Sequence, residues 1–328
     1  MGNEKSLTIE KSGSDLLNRL RGAEYQTVYD GQVRIKFIDK DSATGDPVHE
    51  YWVSEKEEKP YRNSAKHTSL IKRSGWSDWR RVYGPTTYIE IKDKSHTLVD
   101  WALGVFHRYL LEVLSTRMVN KFDLELGRGL PEDNKKKAGN IGTIAHKWMD
   151  DHIIGLFPEM PEHDGVKQII TYFFQWKNEL GVEFISPDLL LYSKKYDFCG
   201  KADAIVRIGG KIYLLDFKTG SGIYNDAMLQ TAAYVEMYNE MGYDKKFGPL
   251  AGRIVSRFEK RTEEEFRTEM TAKKRPNAIY RPITTLFFDN SPDQLKDDFT
   301  AFLAAKSLWE WNKRSERALK KIKEAAQI

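Results

Sequence analysis

Apolar residues beyond position 95 recur with two periods, and the alternation of these periods predicts an ordered series of helices and strands. Steps of three and four residues, typical of helices with one buried face, begin near His96 and return in two later segments. Those later helices are predicted at Val166–Leu180 and Asn225–Met241. Short β-type runs fill the space between helices, at Leu189–Tyr192, Cys199–Ile208, Lys211–Lys218, Ala251–Phe258 and Ile283–Phe288. Ser291-Pro292-Asp293 is typical of a helix start and predicts a long final helix.

The polar positions predict where this regularity stops. Glu132–Asn140 is rich in lysine and contains Gly139, so we expect an exposed connection there, followed by a second helix from about Gly142. Before residue 95 the pattern is mixed. β-prone runs at Gln32–Ile38, His49–Val53 and Thr86–Ile91 are separated by Gly, Asp, Ser and Lys, without a helical period. We therefore predict a β- and loop-rich N-terminal region over 1–95 and a second domain over 96–328.

The segment Lys59–Arg81 is strongly basic. It contains seven lysines and arginines against the single acid Asp78, interleaved with Tyr61, Trp76 and Trp79. Cations and stacking rings together suit a nucleic-acid strand, which would make the N-terminal region a DNA-contacting extension. An equally good interpretation is a solvated basic loop that its tryptophans anchor to the core.

Composition narrows the class of protein. The 328 residues include 52 Lys and Arg against 48 Asp and Glu, so the net charge of +4 is only a weak argument for a polyanionic partner. The lone Cys199 excludes an internal disulfide framework and any zinc site or iron–sulfur cluster that needs several cysteines of this chain. No apolar run reaches the roughly 20 residues of a membrane span, and the N-terminus lacks a signal-peptide core. We expect an intracellular, cytoplasmic protein.

A β-hairpin brings candidate catalytic groups together. If Gly209-Gly210 is a two-residue turn, counting outward along both strands places Asp203 opposite Asp216. Lys218 falls on the same face, because side chains on a strand alternate. Two such close carboxylates repel unless a cation lies between them, and oxygen ligands suit Mg²⁺ or Mn²⁺. A surface salt-bridge cluster on a solvated hairpin is the alternative.

Four motifs then resemble one enzyme family. Gly200-Lys201-Ala202-Asp203, followed by Leu214-Leu215-Asp216-Phe217-Lys218-Thr219-Gly220, is similar to the Gly-x-x-Asp and Asp-x-Lys-Thr signature of the PD-(D/E)XK nucleases. Gln230-Thr231-Ala232-Ala233-Tyr234 resembles the Gln-x-x-x-Tyr motif of their RecB-like branch, and Gly142-Thr143-Ile144-Ala145-His146 its Gly-x-x-x-His motif. The nearest match is the members without an iron–sulfur cluster, similar to phage-type exonucleases and the mitochondrial genome-maintenance exonuclease.

The resemblance implies an α/β protein with a restriction-endonuclease-like core, in which helices flank a mixed central sheet. It implies a Mg²⁺-dependent deoxyribonuclease, expected to be an exonuclease, whose DNA is single-stranded or has free ends. Mn²⁺ is expected to substitute. Such an enzyme would serve DNA processing, recombination or repair, in the host cytoplasm if phage-encoded. The implied metal ligands are His146, Asp203, Asp216 and the carbonyl oxygen of Phe217.

Lys218 would complete the catalytic site, and the resemblance places Gln230 and Tyr234 beside it, near the DNA backbone or the lysine. Asp150 lies one helical turn after His146, where it could orient that imidazole or hold an outer-shell water. The alternative is an aspartate that is simply exposed to solvent. Asp188 falls where many relatives carry a glutamate that assists the metals.

Two other functions remain open from the sequence. A nonenzymatic DNA-end or single-strand binding protein would keep the fold with metal or activity incidental. An interaction protein that is independent of nucleic acid would leave Lys59–Arg81 as mere surface. Binding of a partner with an affinity that does not change with salt concentration would favour this last class, because phosphate contacts weaken steeply as salt rises.

Overall fold

The computed structural model describes residues 25–40, 47–62, 70–91 and 95–326, and it is a mixed α/β protein with two mostly antiparallel sheets. The strands are β1 (Gln26–Val28), β2 (Val33–Lys40), β3 (Pro47–Arg62), β4 (Leu70–Trp76), β5 (Arg80–Val82), β6 (Glu183–Ser193), β7 (Phe198–Ile208), β8 (Lys211–Lys218), β9 (Gly252–Phe258) and β10 (Ile283–Asp289). The helices are α1 (Pro85–Ile89), α2 (Ser95–Thr116), α3 (Lys121–Ile153), α4 (Asp164–Leu180), α5 (Asp226–Glu240), α6 (Tyr243–Phe247), α7 (Glu263–Ala272) and α8 (Pro292–Ala326).

The central sheet has the strand order β10-β9-β8-β7-β6. Three of its four pairings are antiparallel, whereas β8 and β9 run parallel. A parallel pair needs a crossover connection, and α5 supplies it between β8 and β9. The sheet is therefore mixed, as the sequence predicted.

Helices cover both faces of this sheet, because successive residues of its strands join different hydrophobic clusters. On β8, Leu214 packs with residues of α5 and α8, whereas Leu215 packs with residues of α3 and α4. Ile205 and Val206 on β7 divide in the same way. The central hairpin is thus buried on both sides, which explains its nearly continuous apolar sequence.

The described residues of the N-terminal region form a second sheet, which confirms the predicted β content, although loops take a smaller share of these residues than expected. β1 to β4 pair in order and β5 pairs with β3. The apolar residues of this sheet pack on Leu190, Tyr192 and Cys199 of the central sheet. Thr86–Ile91 was expected to be a strand but lies in α1 and the turn after it, because Pro85 is pre-organised for a first helical position.

Helix α3 contradicts a second expectation. Glu132–Asn140 is no connection, since α3 runs unbroken over 33 residues from Lys121 to Ile153. Most side chains of this polar stretch are exposed, and lysine and glutamate are good helix formers. A solvated stretch of helix was mistaken for a loop because polarity alone does not distinguish the two.

Most of the other predicted elements are confirmed with end shifts of a few residues, and Pro292 begins α8 as expected. Two strands are longer than predicted: β3 ends nine residues after Val53, and β6 begins six residues before Leu189. Within the described ranges, no helix is both long and apolar enough to cross a membrane. The side chains of residues 58–75 lie outside the description, and with them most of the basic Lys59–Arg81 segment. The boundary between 1–95 and 96–328 stays a prediction.

Candidate functional site

The β7–β8 hairpin has the predicted register. Ile208 pairs with Lys211, and the pairing continues in step to Ala204 and Leu215. The described ladder ends there, one position before Asp203 and Asp216. Beyond that point the backbone N–H of Phe217 donates to Asp203 Oδ2, at 2.5 Å. The Asp203 carboxylate therefore accepts a hydrogen bond from the backbone of β8 at the point where backbone pairing between β7 and β8 ends.

Lys218 connects the hairpin to α5. Its ammonium lies 2.7 Å from Asp216 Oδ2 and donates to Gln230 Oε1 at 2.9 Å. The Gln230 amide in turn donates to the hydroxyl of Tyr234, at 2.8 Å. Gln230 and Tyr234 are buried and one helical turn apart, so this chain of hydrogen bonds holds the lysine in one orientation.

His146 reaches the same place from α3. Its Nδ1 atom lies 3.6 Å from Asp203 Oδ1, with the imidazole ring partly exposed. Gly142, one turn earlier, lies against Thr219 just after β8, and a Cβ atom there would come within 2.6 Å of the Thr219 hydroxyl oxygen unless that side chain rotated. The glycine of the Gly-x-x-x-His motif thus lies at the contact between α3 and the end of β8. All the sequence-predicted side chains converge on one site.

A second group of charges adjoins this site. Lys201 lies 2.6 Å from Asp188 Oδ1, and the β6–β7 register places Asp188 next to Asp203. Asp188 has φ of 51°, an unusual left-handed conformation for a non-glycine residue within a strand. Asp150 faces Asp188 and Asp203, and its Oδ1 atom is buried without a hydrogen-bond partner in the described structure. The solvent-exposed alternative for Asp150 is wrong.

The N-terminal sheet forms a wall of the site, which the sequence did not predict. Tyr51 on β3 is buried near Asp188 and Asp203, and burial together with these carboxylates raises its pKa. Phe37 on β2 lies under the Lys201 ammonium, 5.0 Å from ring centroid to Nζ. Neither residue has a sequence signal, because only the packing of one sheet on another brings them here.

Burial and mutual charge shift the protonation of the site. Burial raises the pKa of Asp216, although Lys218 opposes the shift. Burial would lower the pKa of His146 and of Lys218, but the neighbouring carboxylates outweigh it and raise both. The pKa of Asp203 is lowered, because His146 and the Phe217 N–H outweigh its burial.

Asp150 has a strongly raised pKa. Burial first, and then the charges of Asp188 and Asp203, raise its pKa to about 8. At neutral pH this carboxyl therefore holds a proton in the folded protein. Retaining a proton is how a crowded acidic site limits its own negative charge.

The site carries more acids than lysines. The carboxyls of Asp150, Asp188, Asp203 and Asp216 face the ammonium groups of two lysines, Lys201 and Lys218. With Asp150 protonated at neutral pH and His146 neutral, the three other carboxylates exceed the two lysines by one negative charge, and loss of the Asp150 proton would raise the excess to two. Carboxylate donors with this excess fit a hard divalent cation. Within the described ranges no group of three or more His, Cys, Asp or Glu side chains is already arranged to hold a metal ion.

Comparisons with known proteins add little. No family model matches the chain, and no curated protein matches it. A solved structure described as the crystal structure of SSO0001 is similar over 61% of this chain and 84% of that chain, with 12% sequence identity and a TM-score of 0.25. A TM-score this low carries no inference about fold or function.

Proposed function

We propose that this protein is a metal-dependent DNA nuclease with a RecB-like PD-(D/E)XK core, acting as an exonuclease. One observation carries the proposal. The Lys218 ammonium lies between the Asp216 carboxylate and the Gln230 amide, at a point where Asp203 and His146 also converge. Four separate sequence motifs thereby meet in one buried polar site, which a surface salt-bridge cluster would not require. The cytoplasmic location belongs to the same proposal.

The carboxylates of Asp203 and Asp216 would hold Mg²⁺, with His146 and the Phe217 carbonyl as further ligands. When bound, Mg²⁺ would polarise the scissile phosphodiester and favour ionisation of the attacking water. The free acid Asp150 would lose its proton as positive charge enters the site, because a cation lowers the pKa of nearby carboxyls. Asp188 and Lys201 would keep the neighbouring strand in place through their ion pair.

Lys218 would act on the phosphate and the water. Its raised pKa keeps the amine protonated, so it can donate a hydrogen bond to a phosphate oxygen and offset negative charge in the transition state. Gln230 fixes the direction of that hydrogen bond by accepting from the same ammonium. Tyr234 supports Gln230 from one turn further along α5.

The choice of DNA ends as substrate rests on the resemblance to cluster-free exonucleases. The experiment is digestion of end-labelled DNA, single- and double-stranded, linear and circular, with Mg²⁺, Mn²⁺ or EDTA. We expect loss of linear DNA with either metal, no loss with EDTA, and sparing of circles. Cleaved circles would replace the exonuclease by an endonuclease. Salt-sensitive binding with no cleavage of any substrate would favour the nonenzymatic DNA-binding protein instead.

A further inference from the structure

A cavity of about 350 Å³ lies between the N-terminal sheet and helix α8, away from the catalytic side chains. Its walls combine cations with aromatic rings. The lining residues are Arg81, Val82, Tyr83, Tyr88, Asp197, Trp309, Glu310, Lys313, Arg314 and Arg317. The volume falls within the range of small-molecule sites.

The two acids of this lining are already neutralised by cations outside it. Both carboxylate oxygens of Asp197 accept from the Arg80 guanidinium, at 2.7 and 2.9 Å. Glu310 is bonded to the Lys306 ammonium one turn earlier on α8. Neither acid is therefore available to neutralise the arginines that face the cavity.

Two of the lining cations are also paired. Arg81 lies 3.0 Å from Glu50, and Lys313 lies 3.2 Å from Glu316. Arg314 and Arg317 have no ion-pair partner among the described residues. They are exposed and three positions apart on α8, so their guanidinium groups lie on one side of the helix. The cavity therefore carries about two uncompensated positive charges.

Flat rings stand beside these arginines. Trp309 is half-buried against Tyr83, with 4.8 Å between ring centroids, and against Tyr88 at 5.3 Å. Arginine guanidinium groups bind phosphate through paired hydrogen bonds, and aromatic side chains pack against bases. An anion with an attached flat ring is the chemistry that this combination recognises.

We propose that this cavity binds one nucleotide unit of a single DNA strand, with its phosphate at Arg314 and Arg317 and its base against the aromatic wall. The inference rests on the proposed nuclease function and extends it by a DNA contact remote from the catalytic side chains. Asp197 at the cavity and Asp203 at the site are six residues apart on the β6–β7 hairpin, which corresponds to roughly 20 Å. A stacked strand spans that distance with about six nucleotides.

The test compares wild type with Arg314→Gln/Arg317→Gln. The matched control is Lys320→Gln/Lys323→Gln, which removes the same charge at the same spacing two turns further along α8. Fluorescence anisotropy of a labelled single-stranded oligonucleotide in EDTA gives affinity over a range of salt. We expect the arginine variant to bind more weakly and to lower the slope of log affinity against log salt by about 0.7, because the two arginines together neutralise one phosphate. The control should keep the wild-type slope.

Cleavage with Mg²⁺ supplies the second readout. Strands shorter than about six nucleotides should be cut equally by wild type and the arginine variant, whereas longer strands should show a raised KM with kcat unchanged. Equal slopes for wild type and the arginine variant, or an equal fall in the lysine control, would overturn the inference. The inference would also be overturned if the arginine variant bound thymidine 5′-monophosphate more weakly but bound the strand as wild type does. The cavity would then be a site for free nucleotides.

The two proposals fail separately. If wild type cuts DNA and the arginine variant matches it in every readout, the cavity inference is wrong and the nuclease stands. If no DNA is cut but strand affinity depends on the two arginines, the cavity inference survives and the nuclease proposal falls.

Discussion

Two of the places where the central sheet buries charged side chains differ in how the charges are balanced: the β7–β8 strands and the site under helix α8. Under α8, Arg253 is fully buried and donates to Asp298 Oδ2 at 2.8 Å and to the Met228 carbonyl at 3.0 Å. The other oxygen of Asp298 accepts from Gln294, at 2.9 Å. One cation meets one anion, and both oxygens of the carboxylate are bonded.

The β7–β8 site is built differently. Its four carboxyls outnumber its lysines, and Asp150 and Asp216 have raised pKa values. Buried charges are costly unless they are paired, so a fold that needs only stability favours the arrangement under α8. An unbalanced cluster is instead typical of a site that awaits a ligand. Removing charge should therefore have opposite consequences in the two places.

Lys218→Ala should have the largest effect. It removes the ammonium that would donate to the phosphate in the proposed mechanism, and we expect DNA cleavage to fall at least about 100-fold. Circular dichroism should show an intact fold. The matched control Lys167→Ala removes a lysine that lies 3.4 Å from Asp164 on α4, and it should cleave normally. If Lys218→Ala cleaves DNA as fast as wild type, Lys218 has no part in the mechanism.

Asp298→Asn should reduce stability instead of activity. The substitution leaves the Arg253 guanidinium buried without a counter-charge, and breaking a buried ion pair costs about 3 to 5 kcal/mol of unfolding free energy. Urea denaturation measures the loss. A decrease well below 1 kcal/mol would mean that the Arg253–Asp298 pair contributes little to the stability of the fold.

Gln230→Ala should impair cleavage without abolishing it. The lost hydrogen bond to the Lys218 ammonium is worth about 1.5 to 3 kcal/mol, or roughly 10- to 100-fold in rate. Gln175→Ala, which removes an exposed glutamine bonded to Glu179, is the control. Cleavage as fast as wild type in Gln230→Ala would show that Lys218 is positioned by other contacts. Full activity of Tyr234→Phe would show only that the hydroxyl is dispensable.

Asp150→Asn should change the pH dependence of stability. The pKa of Asp150 is about 8 in the folded protein, whereas the pKa of an aspartate in the unfolded chain is about 3.8. The stabilisation from this proton is complete below about pH 4 and is lost as pH rises to about 8. The asparagine variant lacks that loss, so its stability relative to wild type should increase between pH 5 and pH 9.

Chemical denaturation in EDTA at both pH values measures this effect. Asp151→Asn, which changes the neighbouring carboxylate that is paired with Lys147, should keep the wild-type pH profile. Identical profiles for Asp150→Asn and wild type would mean that Asp150 is ionised in the folded protein.

The β7–β8 hairpin was predictable because its geometry is local. A two-residue turn fixes the register, and counting outward from Gly209-Gly210 gave the pairing observed as far as Ala204 and Leu215. The four-residue spacing of Gln230 and Tyr234 likewise put both on one side of α5, where they are hydrogen-bonded. Such contacts follow from secondary structure alone.

The rest of the site depends on tertiary packing. Tyr51 and Phe37 reach it only because a whole N-terminal sheet packs on the central one, and no local pattern encodes that contact. Asp150 was ambiguous from the sequence, since helical spacing gave its face but not what lay opposite. The unbroken helix α3 was missed because its polar residues are solvated in either a helix or a loop.

The most direct test of the central claim compares Asp216→Asn with Asp298→Asn in parallel. Both aspartates are buried, and each is ion-paired to one cation. The measurement is the rate of Mg²⁺-dependent cleavage of end-labelled linear DNA per folded molecule, together with the free energy of unfolding. We predict that Asp216→Asn loses cleavage and keeps its stability, whereas Asp298→Asn loses stability and keeps cleavage. Cleavage by Asp216→Asn at the wild-type rate would contradict the assignment of Asp216 to the catalytic site.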